Sequence, residues 1–457
     1  MAKGLLRIET YKENSPIPFQ DAKVTITPLS SALDPMAKIE VKTNEIGRTE
    51  EVELEAPPVK ASQSPGTIPY SVANVRIESP GYRTVNILGT QILADRLSMQ
   101  PVKMFPVEDA KQSDEITIEI PNVRLNSDLP AKIHEEELKP LDAQPGFVVL
   151  PEPVVPKFIT IHMGTPNSSA TDHKVMFKDY IKNVVCSEIY ATWPENAIRA
   201  NILCILSFTM NRIFTDWYKN KGKEFHITNS TAYDQYFVYG RNIYNNVSSL
   251  VDELFTNYVK RPGSKQPLLT QYCDGHDVTC PGWLSQWGSK DQADLGKTPM
   301  EILKYFYGNN LILGYAKKVD GVPESYPGIP LRKGSYGTRV RTIQEQINAI
   351  SNVYPLIPKL TVDGIFGPLT EKSVKTFQQI FGLIPDGVVG LQTWYGLSSI
   401  YNDISKIVDL RDSADIDEIS KLRSESFRNS DFFKTKKFIP PTISSLRGAV
   451  PTADYYD

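Results

Sequence analysis

The stretch of this chain best suited to chemistry is Val184-Val185-Cys186-Ser187-Glu188-Ile189-Tyr190-Ala191-Thr192-Trp193-Pro194. It sets one acid, Glu188, among Val184, Val185, Ile189, Tyr190 and Trp193. A carboxyl group crowded by apolar and aromatic neighbours loses solvation of its charged form, which raises its pKa. Held protonated near neutral pH, it can deliver that proton, as a general acid must. A glutamate exposed at a helix end would read the same way, so the surrounding elements have to decide.

No second carboxylate is fixed beside Glu188 by spacing. Glu195 falls in the first turn of the next helix, where a capping or dipole role suits it. Asp234 and Asp274 lie in loops and remain open as helpers. Cys273, His276 and Cys280 form Cys-x-x-His-x-x-x-Cys, three zinc donors with no obvious fourth. A disulfide or two free thiols satisfy the same spacing. Cys204 reads as a small core residue. His134 beside Glu135, Glu136 and Glu137 reads as a solvated charge run.

The elements that hold Glu188 follow from periodicity. Met176 to Val185 is helical on its N-terminal side. Pro194 at a first helical position and Gly222 past the end predict a helix from Pro194 to about Lys221. Ile198, Ile202, Leu203, Ile205, Leu206 and Phe208 cover most of its circumference, so it is a buried core helix that anchors the glutamate. A strand, Phe158 to His162, opens this region. A polar aromatic loop spans Asn229 to Tyr236, helices are predicted over Ile243–Tyr258 and Thr298–Tyr307, and a turn-rich segment lies between them.

Upstream, Leu5–Tyr11, Ala22–Thr27, Ile39–Lys42 and Ser71–Ile77 run at strand length between turn residues, predicting an antiparallel β-sandwich over 1–105. Prolines then recur from Pro101 to Pro156, so 106–156 reads as an extended connector that a protease can reach, near Gln144-Pro145-Gly146 or the prolines after it. Downstream, 328–402 holds a repeat: Asp363-Gly364-Ile365-Phe366-Gly367-Pro368-Leu369-Thr370 and Asp386-Gly387-Val388-Val389-Gly390-Leu391-Gln392-Thr393. Each Asp-Gly predicts a tight turn, the second glycine a backbone angle that other residues dislike, and a helix after it. The acids of a calcium loop are missing. Residues 411–457 read as a flexible polar tail.

At 457 residues, two to four domains are expected. The net charge of −3 and pI near 6.1 give no electrostatic case for nucleic acid. The N-terminus lacks an apolar signal-peptide core, and the most apolar run, Ala200 to Asn211, is too short to span a bilayer. No membrane insertion is expected, and the fold class is multidomain and mixed.

Several blocks resemble known families. Glu188, Trp193-Pro194-Glu195-Asn196-Ala197, Ser230-Thr231-Ala232-Tyr233-Asp234-Gln235, and Leu284-Ser285-Gln286-Trp287-Gly288 with Glu301 to Tyr307 resemble the stage II sporulation protein D/LytB domain. This resemblance implies a central α+β lytic domain over 157–315 that cleaves peptidoglycan glycan strands, with Glu188 as the catalytic acid. Tyr190, Trp193, Ser230, Thr231, Tyr233, Gln235, Tyr272, Gln286 and Trp287 are then candidates to line the saccharide groove, packing of Trp193 in the core being the alternative. A zinc site of some relatives does not carry over, since Tyr233 and Gln235 stand in the corresponding loop, and no cofactor is expected. The D-G-x-x-G-x-x-T repeat resembles the three-helix peptidoglycan-binding domain. Thr43 to Thr49 and Pro80-Gly81-Tyr82-Arg83 resemble carboxypeptidase-regulatory or transthyretin-like sandwiches.

The whole order is similar to that of clostridial spore cortex-lytic enzymes. It implies a precursor located at the spore cortex or coat, with cortex peptidoglycan as substrate and a subtilisin-like germination protease as activating partner. A non-catalytic wall-binding protein or an amidase activator is the alternative.

Overall fold

A computed structural model describes residues 2–13, 15–29, 38–107, 115–122, 130–139, 149–322 and 326–412, with side chains to 405. The expected cut near Gln144-Pro145-Gly146 and the tail beyond 412 lie outside these residues. The protein is mixed α/β, with several sheets and eight helices among the described residues.

Eight strands open the chain: β1 (Ala2–Lys12), β2 (Lys23–Pro28), β3 (Ile39–Lys42), β4 (Val52–Ala56), β5 (Tyr70–Glu78), β6 (Thr84–Leu93), β7 (Leu97–Met104) and β8 (Glu115–Glu119). One sheet runs β3-β2-β5-β6-β8, and a second contains β7-β1-β4. Along β5, Ala73, Val75 and Ile77 are buried while Asn74 and Arg76 are not, the period-2 signature of a half-buried strand. Leu6, Ile8, Val24, Ile26 and Ile87 fill the space between the sheets. The sandwich is not purely antiparallel, because β1 pairs β7 and β6 pairs β8 in parallel. Such pairing joins strands far apart in sequence, which local patterns do not report. Strand β8 also draws the start of the expected connector into the sandwich.

The middle region begins with β9 (Val154–Val155), β10 (Phe158–His162) and β11 (Asp172–Met176), followed by α1 (Phe177–Glu188) and α2 (Glu195–Phe214). Helix α2 meets the length and composition of a membrane span, yet 94% of its most apolar 18-residue stretch is buried inside the protein. It ends seven residues before the predicted limit. Trp217 N–H donates to Arg212 O and Asp216 N–H to Ile213 O, with Asp216 left-handed at φ 47°. This is a Schellman ending with aspartate in the place glycine usually takes. Gly222 instead closes a short 3-10 turn over Lys219–Lys221.

Next come β12 (Ile227–Thr228), β13 (Ile243–Tyr244), α3 (Asn245–Leu254) and β14 (Asn257–Lys260). The helix predicted over Ile243–Tyr258 is therefore shorter, because Ile243 and Tyr244 pair with Met99 and Ser98 of β7 and complete the order β13-β7-β1-β4. Then follow β15 (Tyr272–Cys273), β16 (Leu284–Ser285), α4 (Gln286–Asp294), α5 (Pro299–Tyr307), β17 (Ile312–Tyr315) and β18 (Lys318–Val319). Thr298 caps α5 in a capping box with Glu301.

The last three helices are α6 (Thr338–Ser351), α7 (Pro368–Ile380) and α8 (Leu391–Asp412). The left-handed residues of the repeat are its first glycines, Gly364 and Gly387, at φ 76° and 77°. Gly367, predicted to need that conformation, is extended at the N-cap of α7. Phe377 and Trp394 are buried in the core.

Candidate active site

Glu188 is the last residue of α1. Ile189 turns extended, and Trp193 N–H closes a turn onto Tyr190 O at 3.1 Å before Pro194 opens α2. The carboxylate is 1% exposed. Its immediate partners are donors rather than the bare hydrocarbon expected from the flanking residues. Tyr236 N–H donates to Oε1 at 2.8 Å and Tyr272 Oη–H to the same oxygen at 3.1 Å. Gln286 Nε2 donates to Oε2 at 3.1 Å and to the Glu188 carbonyl at 3.0 Å. Burial, and next the charge of Glu188, push the Tyr272 phenol well above its usual range, so it stays a donor.

The neighbouring acids are bonded to groups other than Glu188, although Asp274 lines the same cavity. Asp234 is fully buried, its Oδ1 accepting from Arg212 Nε at 2.7 Å. Its Oδ2 accepts from Tyr218 Oη, Thr228 N and Thr228 Oγ1. Asp274 accepts from the backbone N–H of Asp277 and Val278. Glu195 lies in the first turn of α2, bonded to Arg199 four residues on.

The saccharide-binding candidates fall into separate groups. Thr231 and Tyr272 line a cavity with Glu188. Gln286, like Tyr272, holds the Glu188 carboxylate. Ser230 and Tyr233 shape the loop, the Ser230 carbonyl accepting from Tyr233 N–H at 3.0 Å. Gln235 is a core residue, accepting from Tyr180 and Thr209. Tyr190, Trp193 and Trp287 pack as one buried aromatic cluster. Trp193 Nε1 donates to Ser62 O of the sandwich at 2.9 Å, which takes this ring away from the cavity.

Cys273 and Cys280 are joined in a disulfide. Of the alternatives left open by the Cys273, His276 and Cys280 spacing, the structure shows the disulfide, and bonded sulfurs are not thiolate ligands for zinc. His276 lies beside Asp277 at 2.8 Å. Asp274, His276 and Asp277 lie close enough to share a cation, a grouping also common on surfaces without one.

The cavity at Glu188 measures about 30 Å³, roughly the room of a water molecule or two. Pro130, Ala131 and Lys132, at the start of residues 130–139, form one wall of it. Lys132 Nζ donates to Thr231 O at 3.2 Å and also to Asp234 O, and it sits 4.7 Å from the centre of the Tyr272 ring. Ile133 N–H donates to Ala232 O, and Glu135 N–H to Gln271 Oε1. The Glu135 carboxylate receives both terminal nitrogens of Arg212, and that of Glu137 receives Arg261. This part of the connector is a strap laid on the site, with Glu135 and Glu137 paired to arginines and Glu136 exposed. Their partners lie more than seventy residues downstream, out of reach of a local reading.

With this geometry in hand, comparison with known proteins adds two family matches. Residues 167–255 match the Stage II sporulation protein family, and 336–397 match a peptidoglycan binding domain. The chain therefore carries a SpoIID domain and a peptidoglycan-binding domain, consistent with a sporulation cell-wall enzyme. A zinc D-Ala-D-Ala carboxypeptidase of Streptomyces albus G is 35% identical over 16% of this chain and 28% of its own length. An uncharacterised protein from the bpoA1 3′ region of Kitasatospora aureofaciens is 40% identical over 14% of this chain and 51% of its own. The chain thus spans about half or less of these relatives. A 3-chlorocatechol 1,2-dioxygenase of Rhodococcus opacus 1CP shares 13% identity over 23% of this chain and 60% of its own, at a TM-score of 0.17, too slight a likeness to bear on fold or function.

Proposed function

We propose that this chain is the precursor of a spore cortex-lytic enzyme of the clostridial SleC type, a peptidoglycan lytic transglycosylase opened by proteolysis at germination. The observation that carries the reading is the buried carboxylate of Glu188, oriented by three donors at the cavity, while the buried carboxylates of Asp234 and Asp274 are bonded to groups of the fold. A hydrolase of the usual kind needs two carboxylates flanking the bond. A lytic transglycosylase needs one.

In the proposed step Glu188 gives its proton to the glycosidic oxygen between MurNAc and GlcNAc, and the C1–O bond breaks. The resulting carboxylate then takes the proton of the muramic acid 6-hydroxyl as O6 closes on C1. The 1,6-anhydro sugar keeps the electron balance without water, and the acid is regenerated. The step calls for no cofactor. Tyr272, Gln286 and the Tyr236 amide hold the carboxylate in one orientation, the supporting contact such a group needs.

The strap fits the precursor reading. A cut in the connector by a subtilisin-like germination protease would free residues 130–139 from the groove. The peptidoglycan-binding domain would hold the enzyme on its insoluble substrate in the cortex, raising the local concentration of bonds to cleave.

The test is Glu188→Gln in the processed enzyme on cortex sacculi, with products separated as reduced muropeptides. Loss of anhydro-muropeptides at an unchanged melting midpoint is expected. Continued release of anhydro ends would defeat the mechanism, and release of peptides alone by the wild type would favour an amidase-related role.

A further inference from the structure

Arg212 is fully buried yet serves two carboxylates of different standing. Its Nε donates to Asp234 Oδ1 at 2.7 Å, and Asp234 is bound into the core by Tyr218 and Thr228. Its terminal nitrogens reach Glu135 at 3.0 and 2.5 Å, the paired geometry that guanidinium offers to a carboxylate. The rings of Phe208, Trp217 and Tyr218, with centres 4.9, 5.3 and 5.7 Å from the guanidinium carbon, wall the group in. The domain core therefore builds the fork, but a residue of the strap fills it.

The strap and the 231–234 loop link the fork to the cavity at Glu188. Lys132, three residues before Glu135, lines that cavity with Glu188 and bonds the carbonyls of Thr231 and Asp234. Arg212 bonds the carbonyl of Tyr233 in the same loop. One short strap thus lays an ammonium against the cavity and a carboxylate against the fork beside it.

We propose that the Arg212 fork is a carboxylate subsite of the glycan groove, filled by Glu135 in the intact chain and by a carboxylate of the muramyl strand once the strap is displaced. The inference rests on the reading above that the groove takes such a strand. A buried guanidinium that loses one of its two carboxylates is costly to leave unpaired, so the opened groove gains by taking another anion. Muramic acid supplies one as its lactyl ether where no peptide is attached, and as the stem peptide where one is. N-acetylglucosamine supplies none, so the fork discriminates between the two sugars of the strand and sets its register over Glu188.

The experiment uses the full-length chain and reads binding rather than turnover. Glu135→Gln and the double variant Lys132→Ala/Glu135→Ala are titrated by ligand-observed NMR with N-acetylmuramic acid, with an N-acetylmuramoyl dipeptide carrying a free carboxylate, and with N-acetylglucosamine. At least one acidic ligand is expected to bind the variants tenfold or more tighter than it binds wild type, and N-acetylglucosamine is expected to show no such gain. A gain confined to N-acetylmuramic acid assigns the lactyl carboxylate, and one confined to the dipeptide assigns the stem. Adding Arg212→Lys to Glu135→Gln should abolish the gain, with the melting midpoint reporting whether that variant is folded. Absence of a gain for both acids in both variants overturns the subsite, as does a gain that survives in a folded Arg212→Lys chain. Binding without anhydro products from the processed enzyme would retire the lytic reading and leave the subsite standing.

Discussion

Tyr272 donates its hydroxyl to Glu188 Oε1 at 3.1 Å while being only 3% exposed itself. The donor therefore cannot be replaced by bulk water when it is removed. Tyr272→Phe keeps the ring over which Lys132 lies and deletes one of three groups orienting the carboxylate. We expect a loss of about tenfold to a hundredfold in kcat of the processed enzyme, with KM little changed. The fold should lose only about 1–2 kcal/mol, as for one buried hydrogen bond. Steady-state kinetics beside urea unfolding would check both, and an unchanged kcat would remove Tyr272 from the positioning set.

The strap should respond to acid. Burial alone would raise the Glu135 carboxyl, but the hydrogen bonds and charge of Arg212, then those of Lys139, bring it down to about 2. Its folded pKa lies below the unfolded one, so its contribution is complete above the ordinary carboxyl range and fades as pH falls toward 2. Amide hydrogen exchange over 130–139, corrected for intrinsic rates, should quicken as pH drops from about 4.5 to about 2. Glu135→Gln should flatten that dependence. Equal acid response in both chains would show that other groups hold the strap.

The Cys273–Cys280 disulfide closes a loop that carries Asp274, and both Cys273 and Asp274 line the cavity. A loop this short restrains the unfolded chain by about 2–3 kcal/mol. Cys273→Ser/Cys280→Ser, or reduction of wild type, should lower the melting midpoint and quicken exchange at the amides of Asp277 and Val278, which Asp274 now holds. A midpoint indifferent to reductant would mean that the Asp274 hydrogen bonds hold the loop without the bridge.

Legibility in the sequence followed locality. Glu188 before Trp193-Pro194, the buried character of α2 and the Asp-Gly repeat all show in short windows, because each depends on neighbours within a few residues. The limit of α2 carries no local mark, because Asp216 adopts the left-handed conformation for which glycine is the usual sign. Gln235 and Gln286 look alike in sequence as polar residues near aromatics. Only the fold sends one to Tyr180 and Thr209 and the other to Glu188. The strap was least legible, since Glu135 gains its meaning from Arg212 and Lys132 from the 231–234 loop. Strand β13 was hidden for the same reason, as its partner β7 lies far upstream.

Gln344 and Gln378 show what a repeat preserves. Gln344 Nε2 donates to Asp363 Oδ1, Ile365 O and Thr370 Oγ1, while its Oε1 accepts from Gly364 N–H at 2.8 Å. Gln378 repeats the set with Asp386, Val388, Thr393 and Gly387 N–H, again at 2.8 Å for the last. Both glutamines are 1% exposed, so each ties a left-handed glycine turn to the helix before it through a buried amide, although Asp363 and Asp386 themselves are exposed. Substitution by alanine leaves the glycine amide of the turn without its partner and opens a void. Gln344→Ala and Gln378→Ala should each cost about 2–4 kcal/mol of the wall-binding module's stability. Wall pull-down should weaken as the module unfolds, while the melting of the sandwich strands is little affected. If either alanine variant unfolds with wild-type midpoint, its network does not hold the turn.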